Sequence, residues 1–436
     1  MLKRKMTAYL EEWRSNKSKE CLLIKGARQI GKTFIVESFG KRSYKSFIEL
    51  NFIEQPNLMR AFEGALTADD IVRQLSLLVP GAAFIEGDTL IFLDEIQACP
   101  QARTALKFLA IDGRYDVIAS GSLLGIGNNE GGASIPVGYE RSMVMHGLDF
   151  EEYLWARGYD EASVRLLRDY LTRMEPVPQV VHQEMMRLVR EYMAIGGMPA
   201  VVQSFVQTNN FSVAHSEQEK ILSAYLDDIA KYADATDRVK ARACYLSLPH
   251  QLAKENTKFQ YSLVQKGGSS RKFAGSLEWL RDAEIVRYCR CVSTPHFPLL
   301  AYESDDRFRV YANDMGLLIC QYGFEMKDAV VNNLLKGPMR GGLYENLVAD
   351  MLAKAGKPLH YWRSSDGSRE MEFLLDGPEA TVIPIEVKAS RGSTVSLNST
   401  LDQDDVRVGY KFMDGNIGRD GKKVTLPLYL AAFCDF

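Results

Sequence analysis

Cysteine is sparse and unpatterned: seven are scattered over 436 residues, and no C-x-x-C pair occurs. Only Cys289 and Cys291 lie close together, one residue apart. Neither a structural zinc site nor a disulfide framework is indicated. No apolar run approaches the roughly 18 residues of a membrane span. An excess of one charge is also missing, since the net charge is −3, which argues against a globally basic nucleic-acid coat protein. The start, Met1-Leu2-Lys3-Arg4-Lys5, is basic but lacks the apolar stretch of a signal peptide. The expectation is a cytoplasmic protein with no membrane partner. What is present is a 46% share of hydrophobic residues, enough for several cores and about two to four domains.

The most specific feature is Gly26-Ala27-Arg28-Gln29-Ile30-Gly31-Lys32-Thr33, a complete G-x-x-x-x-G-K-[ST] loop. Cys21-Leu22-Leu23-Ile24 before it reads as a buried strand, and Thr33-Phe34-Ile35-Val36 opens an apolar-faced helix. Glycines let successive N–H groups turn inward on a phosphate. Lys32 adds a cation for the β/γ oxygens, and the Thr33 hydroxyl suits Mg²⁺. The helix start contributes its positive end. The phosphates of a nucleotide and Mg²⁺ are the implied ligands.

Thr89-Leu90-Ile91-Phe92-Leu93 is an apolar run fit for a sheet covered on both faces, and it ends in Asp94-Glu95. Asp94 would serve the Mg²⁺ shell, and Glu95 would polarise the attacking water. Strand alternation points the two carboxylates in different directions. Such an ending is weak alone, but it stands 62 positions after Lys32. A third apolar strand, Tyr115 to Ala119, runs into Ser120-Gly121-Ser122. Either hydroxyl can sense the γ-phosphate or the lytic water, or the serines only cap a strand.

Gly-Ala-Arg-Gln-x-Gly-Lys-Thr, Leu-Asp-Glu-Ile-Gln and the Ser-Gly-Ser strand end resemble a prokaryotic branch of the AAA-type (P-loop) ATPases. That family appends a C-terminal domain of uncharacterised function with a restriction-endonuclease-like core. Further matches are Gly196-Gly197-Met198-Pro199, Phe308-Arg309-Val310-Tyr311 and Asp314-Met315-Gly316-Leu317-Leu318. Gly342-Leu343-Tyr344-Glu345-Asn346, Tyr361-Trp362-Arg363 and Ile385-Glu386-Val387-Lys388 complete the set. The resemblance makes the bound nucleotide ATP, and it implies an ATP hydrolase and an arginine supplied near the γ-phosphate, often by a neighbouring subunit of a homo-oligomer. Arg141 lies where related sequences tend to keep an arginine before the fifth strand. It can equally be a surface residue paired with Glu140 or Glu151. Arg28 is a family mark that either pins the loop or contacts phosphate.

The expected fold class is α/β in four parts. Residues 1–156 form a P-loop ATPase core with a parallel sheet, and residues 157–236 a helical lid. Residues 237–325 form a winged-helix-like domain, and residues 326–436 an α/β endonuclease-like domain. Gly196-Gly197 before Pro199 reads as a helix stop. Gly125 to Gly132 reads as a mobile loop. Between residues 237 and 290, eleven Lys/Arg stand against five Asp/Glu. Lys266, Arg271 and Lys272 open the second helix of that segment, where double-stranded DNA would be met. The alternative is a solvated basic face.

A second constellation closes the chain. Glu345 on a helix, Glu372 after Tyr361-Trp362-Arg363, and Glu386 with Lys388 on the strand Thr381 to Lys388 give the layout of a PD-(D/E)xK nuclease site. Strand period puts Glu386 and Lys388 on one face. The family usually has aspartate where this chain has Glu372, and the extra methylene disturbs the strict geometry that Mg²⁺ demands. Glu-x-Lys on a strand face is also an ordinary same-face ion pair.

Overall fold

The computed structural model describes residues 2–16, 20–122, 136–232, 235–254, 258–389 and 394–436. The expected loop Gly125 to Gly132 lies outside the described residues. The chain divides into two units, one built on Lys3–His146 and the other on Gly147–Arg281 with Ile285–Phe436.

The first unit carries five parallel strands: β1 (Cys21–Lys25), β2 (Ser46–Asn51), β3 (Thr89–Asp94), β4 (Asp116–Gly121) and β5 (Glu140–Val144). Their order is β2-β3-β4-β1-β5. Every residue of β3 is buried, as its unbroken apolar run requires. Strand β4 lies between β1 and β3, so the ends of the strands carrying the loop, Ser120 and Asp94 lie side by side. Leu23, Leu50, Ile91, Leu93, Val117 and Ala119 supply the strand side of one core, which Ala102, Ala105, Leu106 and Leu109 of the helix Pro100–Asp112 cover.

The second unit combines helices with an eight-stranded sheet. Its strands are β6 (Val286–Val292), β7 (Glu303–Ala312), β8 (His360–Arg363), β9 (Glu370–Gly377), β10 (Thr381–Val387), β11 (Gly409–Met413), β12 (Gly418–Asp420) and β13 (Lys423–Pro427). The order is β12-β13-β11-β10-β9-β8-β6-β7, with β6 pairing β8 in parallel. One hydrogen-bonded sheet therefore crosses the expected break between residues 325 and 326. A sequence-local reading cannot see this, because β6 and β8 are joined only by long-range pairing.

The helices expected as a lid fall in this second unit too. The helix Gln179–Ile195 stops at Gly196, whose φ of 79° is left-handed, and Pro199 opens the next helix. A Cβ on Gly196 would come within 2.2 Å of Asp314 Oδ1, and the Gly197 N–H donates to Asp314 at 2.6 Å. The buried Lys327 ammonium donates to the Ala194 carbonyl at 3.0 Å and to the Gln218 side chain. These polar ties bind residues 147–236 to the helices that follow β7. The basic helix expected after Lys266 runs Ser270–Asp282, with Arg271 and Lys272 exposed in its first turn and Lys266 exposed just before it.

Candidate functional site

Strand β1 delivers the chain into the loop at Gly26, whose φ is 143°. A Cβ there would lie 2.2 Å from the Met145 carbonyl oxygen, and the Met145 N–H in turn donates to the Lys25 carbonyl at 2.8 Å. Glycine at 26 is therefore required by the backbone that follows β5. Ala27 and Ile30 are buried, Arg28 is half-buried, and Gln29 is exposed with a φ of 63°. Gly31, at φ 87°, turns the chain into the helix Lys32–Ser43, whose N-terminus has no side-chain cap. Uncapped N–H groups at a helix start suit an anion.

Lys32 is buried, and its ammonium donates to the carbonyls of Gly26 and Ala27 at 2.9 and 2.8 Å. Burial pushes its pKa down to about 8, against the opposing pull of Glu95 and Asp94. The loop thus holds its own cation in place. An arriving phosphate offers that cation a better partner than two neutral carbonyls.

Asp94 is the hub. Its Oδ2 accepts from the Thr33 hydroxyl at 2.9 Å and from the Asn51 amide at 3.3 Å, and its Oδ1 accepts from the Ser120 hydroxyl. All three partners come from different elements, brought together by the strand order. Thr33 and Asp94 are hard oxygen donors in contact, a pairing that fits Mg²⁺. Ser122 is buried, and its hydroxyl has no partner among the described residues.

Glu95 is placed by a means that alternation did not anticipate. β3 ends at Asp94, and Glu95 takes a left-handed conformation with φ 53° and ψ 44°. Such a conformation is costly for a residue with a Cβ and is found where surroundings enforce it. The Gln97 amide donates to Glu95 Oε2, while Gln97 Oε1 is buried with no partner among the described residues. Asn51 and Gln97 were not singled out from sequence. Asn51 ends the strand beside β3, and Gln97 stands in the Leu-Asp-Glu-Ile-Gln run; both positions were available as signals.

Arg141 lies within β5 rather than before it, opposite Leu22 near the start of β1. Its guanidinium binds the Glu20 carboxylate at 2.9 and 3.0 Å. That is the end of the strand away from the loop, and the partner is neither Glu140 nor Glu151. Glu140 pairs with the buried Arg103 at 3.1 Å, and Glu151 with Arg168 at 2.7 Å.

In the second unit, Lys388 follows directly on β10 and bridges Glu372 and Glu386 at 3.1 and 3.2 Å. Burial raises the Glu372 pKa to about 7, with Lys388 opposing and Glu386 reinforcing the rise. Burial likewise raises that of Glu386. Burial would lower the Lys388 pKa, yet the two carboxylates outweigh it and raise the value. Glu345 lies on the helix Gly337–Lys354 and accepts from Arg309 at 2.6 Å and from the Tyr311 hydroxyl. The candidate acids therefore each have a protein cation beside them. Among the described residues, no group of three or more His, Cys, Asp or Glu side chains is disposed to hold a metal ion.

Residues 18–154 match the family model of an AAA domain. Residues 186–328 and 340–426 match two domains of unknown function, DUF8612 and DUF4143. No curated protein matches the chain. Among solved structures, the Walker-type ATPase PABY2304 of Pyrococcus abyssi is 12% identical, with 74% of this chain and 96% of that one covered at a TM-score of 0.43. The Aeropyrum pernix ORC1 protein, solved in complex with DNA, is 12% identical, with 76% and 94% covered at a TM-score of 0.31. The AAA-domain match, over the residues that carry the loop and Asp94-Glu95, supports an AAA-type ATPase. No helix among the described residues is long and apolar enough to cross a membrane.

Proposed function

We propose that this chain binds ATP with Mg²⁺ at the loop Gly26–Thr33 and hydrolyses it to drive or switch a conformational change. The observation that carries this reading is the convergence of Thr33, Ser120 and Asn51 on Asp94, with Glu95 next in sequence. Thr33 and Asp94 would hold the ion, which would supply positive charge to the phosphate oxygens. Lys32 would leave the Gly26 and Ala27 carbonyls for phosphate. The Glu95 carboxylate would accept a proton from the attacking water on Oε1, or on Oε2 once that oxygen parts from the Gln97 amide. Ser120 holds the Asp94 carboxylate in orientation, and the unpartnered Ser122 hydroxyl is available to the γ-phosphate. Arg141 would act only in a neighbouring subunit's site, within a homo-oligomer. A soluble, cytoplasmic role accompanies this reading.

The test is phosphate release by the full chain with Mg²⁺, with and without double-stranded DNA, beside Glu95→Gln. Turnover abolished by the substitution supports hydrolysis. The Gln97–Glu95 contact favours a second reading, a nucleotide-controlled binding protein with negligible turnover, and wild-type release at the level of Glu95→Gln would select it.

DNA contact through Lys266, Arg271 and Lys272 is supported by their exposure, and it would add salt-sensitive affinity. For a nuclease centre at Glu345, Glu372, Glu386 and Lys388, the bridging ammonium argues against metal entry, because it already stands between two of the carboxylates and offsets one of their charges. DNA cleavage with Mg²⁺ or Mn²⁺ that the paired change Glu386→Ala and Lys388→Ala removes would establish the centre.

A further inference from the structure

The sheet of the second unit also lines a cavity of about 270 Å³, whose walls include Lys258, Arg307, Arg309, Arg363, Asp366 and Glu370. None of its four cations lies near the others in sequence except Arg307 and Arg309. Both belong to β7, where Arg309 pairs with Cys289 of β6 and Arg307 falls in the register shift between Phe308 and Ser304. An isolated antiparallel bridge sets Lys258 opposite Arg309, and the Phe259 N–H donates to the Phe308 carbonyl at 3.0 Å. Arg363 ends β8 and pairs in register with Glu370 on β9.

The charges in this cavity do not cancel. Arg309 is buried, binds Glu345 and Glu370, and lies 4.3 Å over the Tyr361 ring, so its charge is balanced within the protein. Arg363 Nε reaches the same Glu370 at 3.5 Å. Asp366 accepts from the hydroxyls of Ser364 and Ser368, which lower its pKa to about 2 and keep it an anion. Lys258 and Arg307 are exposed, and Arg307 has no ion-pair partner among the described residues. With Glu345 counted, four cations stand against three carboxylates, and the exposed Arg307 is left with no carboxylate beside it among the described residues. The volume is below the roughly 300–1,000 Å³ of sites that enclose a whole small molecule, so it suits one charged group projecting from a larger ligand or a small anion. Guanidinium forks match phosphate oxygens in geometry as well as charge.

We propose that this cavity is a phosphate-binding site, with Arg307 and Arg363 as the guanidinium donors and Lys258 as a further positive charge. The phosphate can belong to the end of a nucleic-acid strand or be free in solution, and the two sources separate experimentally. The full chain carrying Lys32→Ala, which removes the loop's cation, is titrated by fluorescence anisotropy with a short single-stranded DNA bearing a 5′-phosphate. The same strand with a 5′-hydroxyl is the control, and inorganic phosphate the competitor. At fixed salt, the phosphorylated strand should bind at least tenfold tighter. The pair Lys258→Ala and Arg307→Ala should erase that difference while leaving the melting temperature unchanged, since both side chains are exposed. If inorganic phosphate binds with the same dependence on these two residues but the strand does not, the site stands and its ligand is free phosphate. Equal binding of the two strands with no phosphate binding, or affinity indifferent to the paired change, overturns the proposal. Neither probe carries a triphosphate, so this outcome is separate from that of the loop.

Discussion

The Thr33 hydroxyl donates to Asp94 Oδ2 at 2.9 Å, across 61 positions of sequence. One residue closes the phosphate loop and the other ends a buried strand, and β4 lies between their strands. This contact joins the two sequence motifs into one centre.

Lys32→Ala should abolish nucleotide binding and leave the fold intact. The ammonium holds only two loop carbonyls, so its loss opens no apolar cavity. Titration with ATP at matched melting temperature checks this, and unchanged affinity would refute the loop assignment. The wild type should also show a pH signature. Burial sets the free Lys32 pKa at about 8, and a bound phosphate raises it. Binding therefore takes up a proton above that pH. Apparent affinity should be flat below about pH 8 and fall as pH rises beyond it, a fall that Lys32→Ala would lack.

Glu95→Gln should retain Mg-ATP, because Thr33 and Asp94 are untouched, and lose most hydrolysis. Removal of a general base costs roughly 10²–10⁴-fold in rate. Turnover equal to wild type would place the base elsewhere.

Gln97→Ala should raise basal turnover without altering ATP affinity. The amide holds Glu95 Oε2, and a hydrogen bond to a charged group is worth about 1.5–3 kcal/mol. If Glu95 must leave that bond to meet water, the rate should rise roughly ten- to 150-fold. A slower enzyme would instead make Gln97 the residue that orients the base.

Lys388→Ala should destabilise the second unit by about 3–5 kcal/mol, the cost of stranding buried carboxylates. Glu386 is 1% exposed, so the pair is not the exposed ion pair that a strand-face spacing suggests. Replacing Glu372, Glu386 and Lys388 together by apolar residues of similar volume should cost far less. The Glu372 pKa is raised from 4.5 to about 7, so the folded state holds that proton more tightly than the unfolded chain. Stability should therefore fall as pH rises from about 4.5 through 7, and Glu372→Gln should flatten the slope over that window. Denaturant unfolding at several pH values measures both effects, and a slope unchanged in Glu372→Gln would remove Glu372 from the account.

The sequence by itself determined the local chemistry of the first unit. The loop glycines, Lys32, Thr33 and the buried run into Asp94 were legible because each depends on neighbours a few residues away and on the period of a strand. The match of residues 18–154 to an AAA domain covers the same segment. Tertiary structure decided everything that rests on pairing across long separations. Only the strand order could bring Ser120 and Asn51 to Asp94, and only a left-handed turn, not alternation, sets Glu95 against Gln97. Arg141 shows the same limit: its place in the chain said nothing of which end of the sheet it occupies, which is fixed by its register against β1. In the second unit, β6 pairs with β8 across the expected break at residue 325, because hydrogen bonding follows the sheet and not the chain. That pairing also gathers Lys258, Arg309 and Arg363 around one cavity, a charge cluster that no local pattern in the sequence contains.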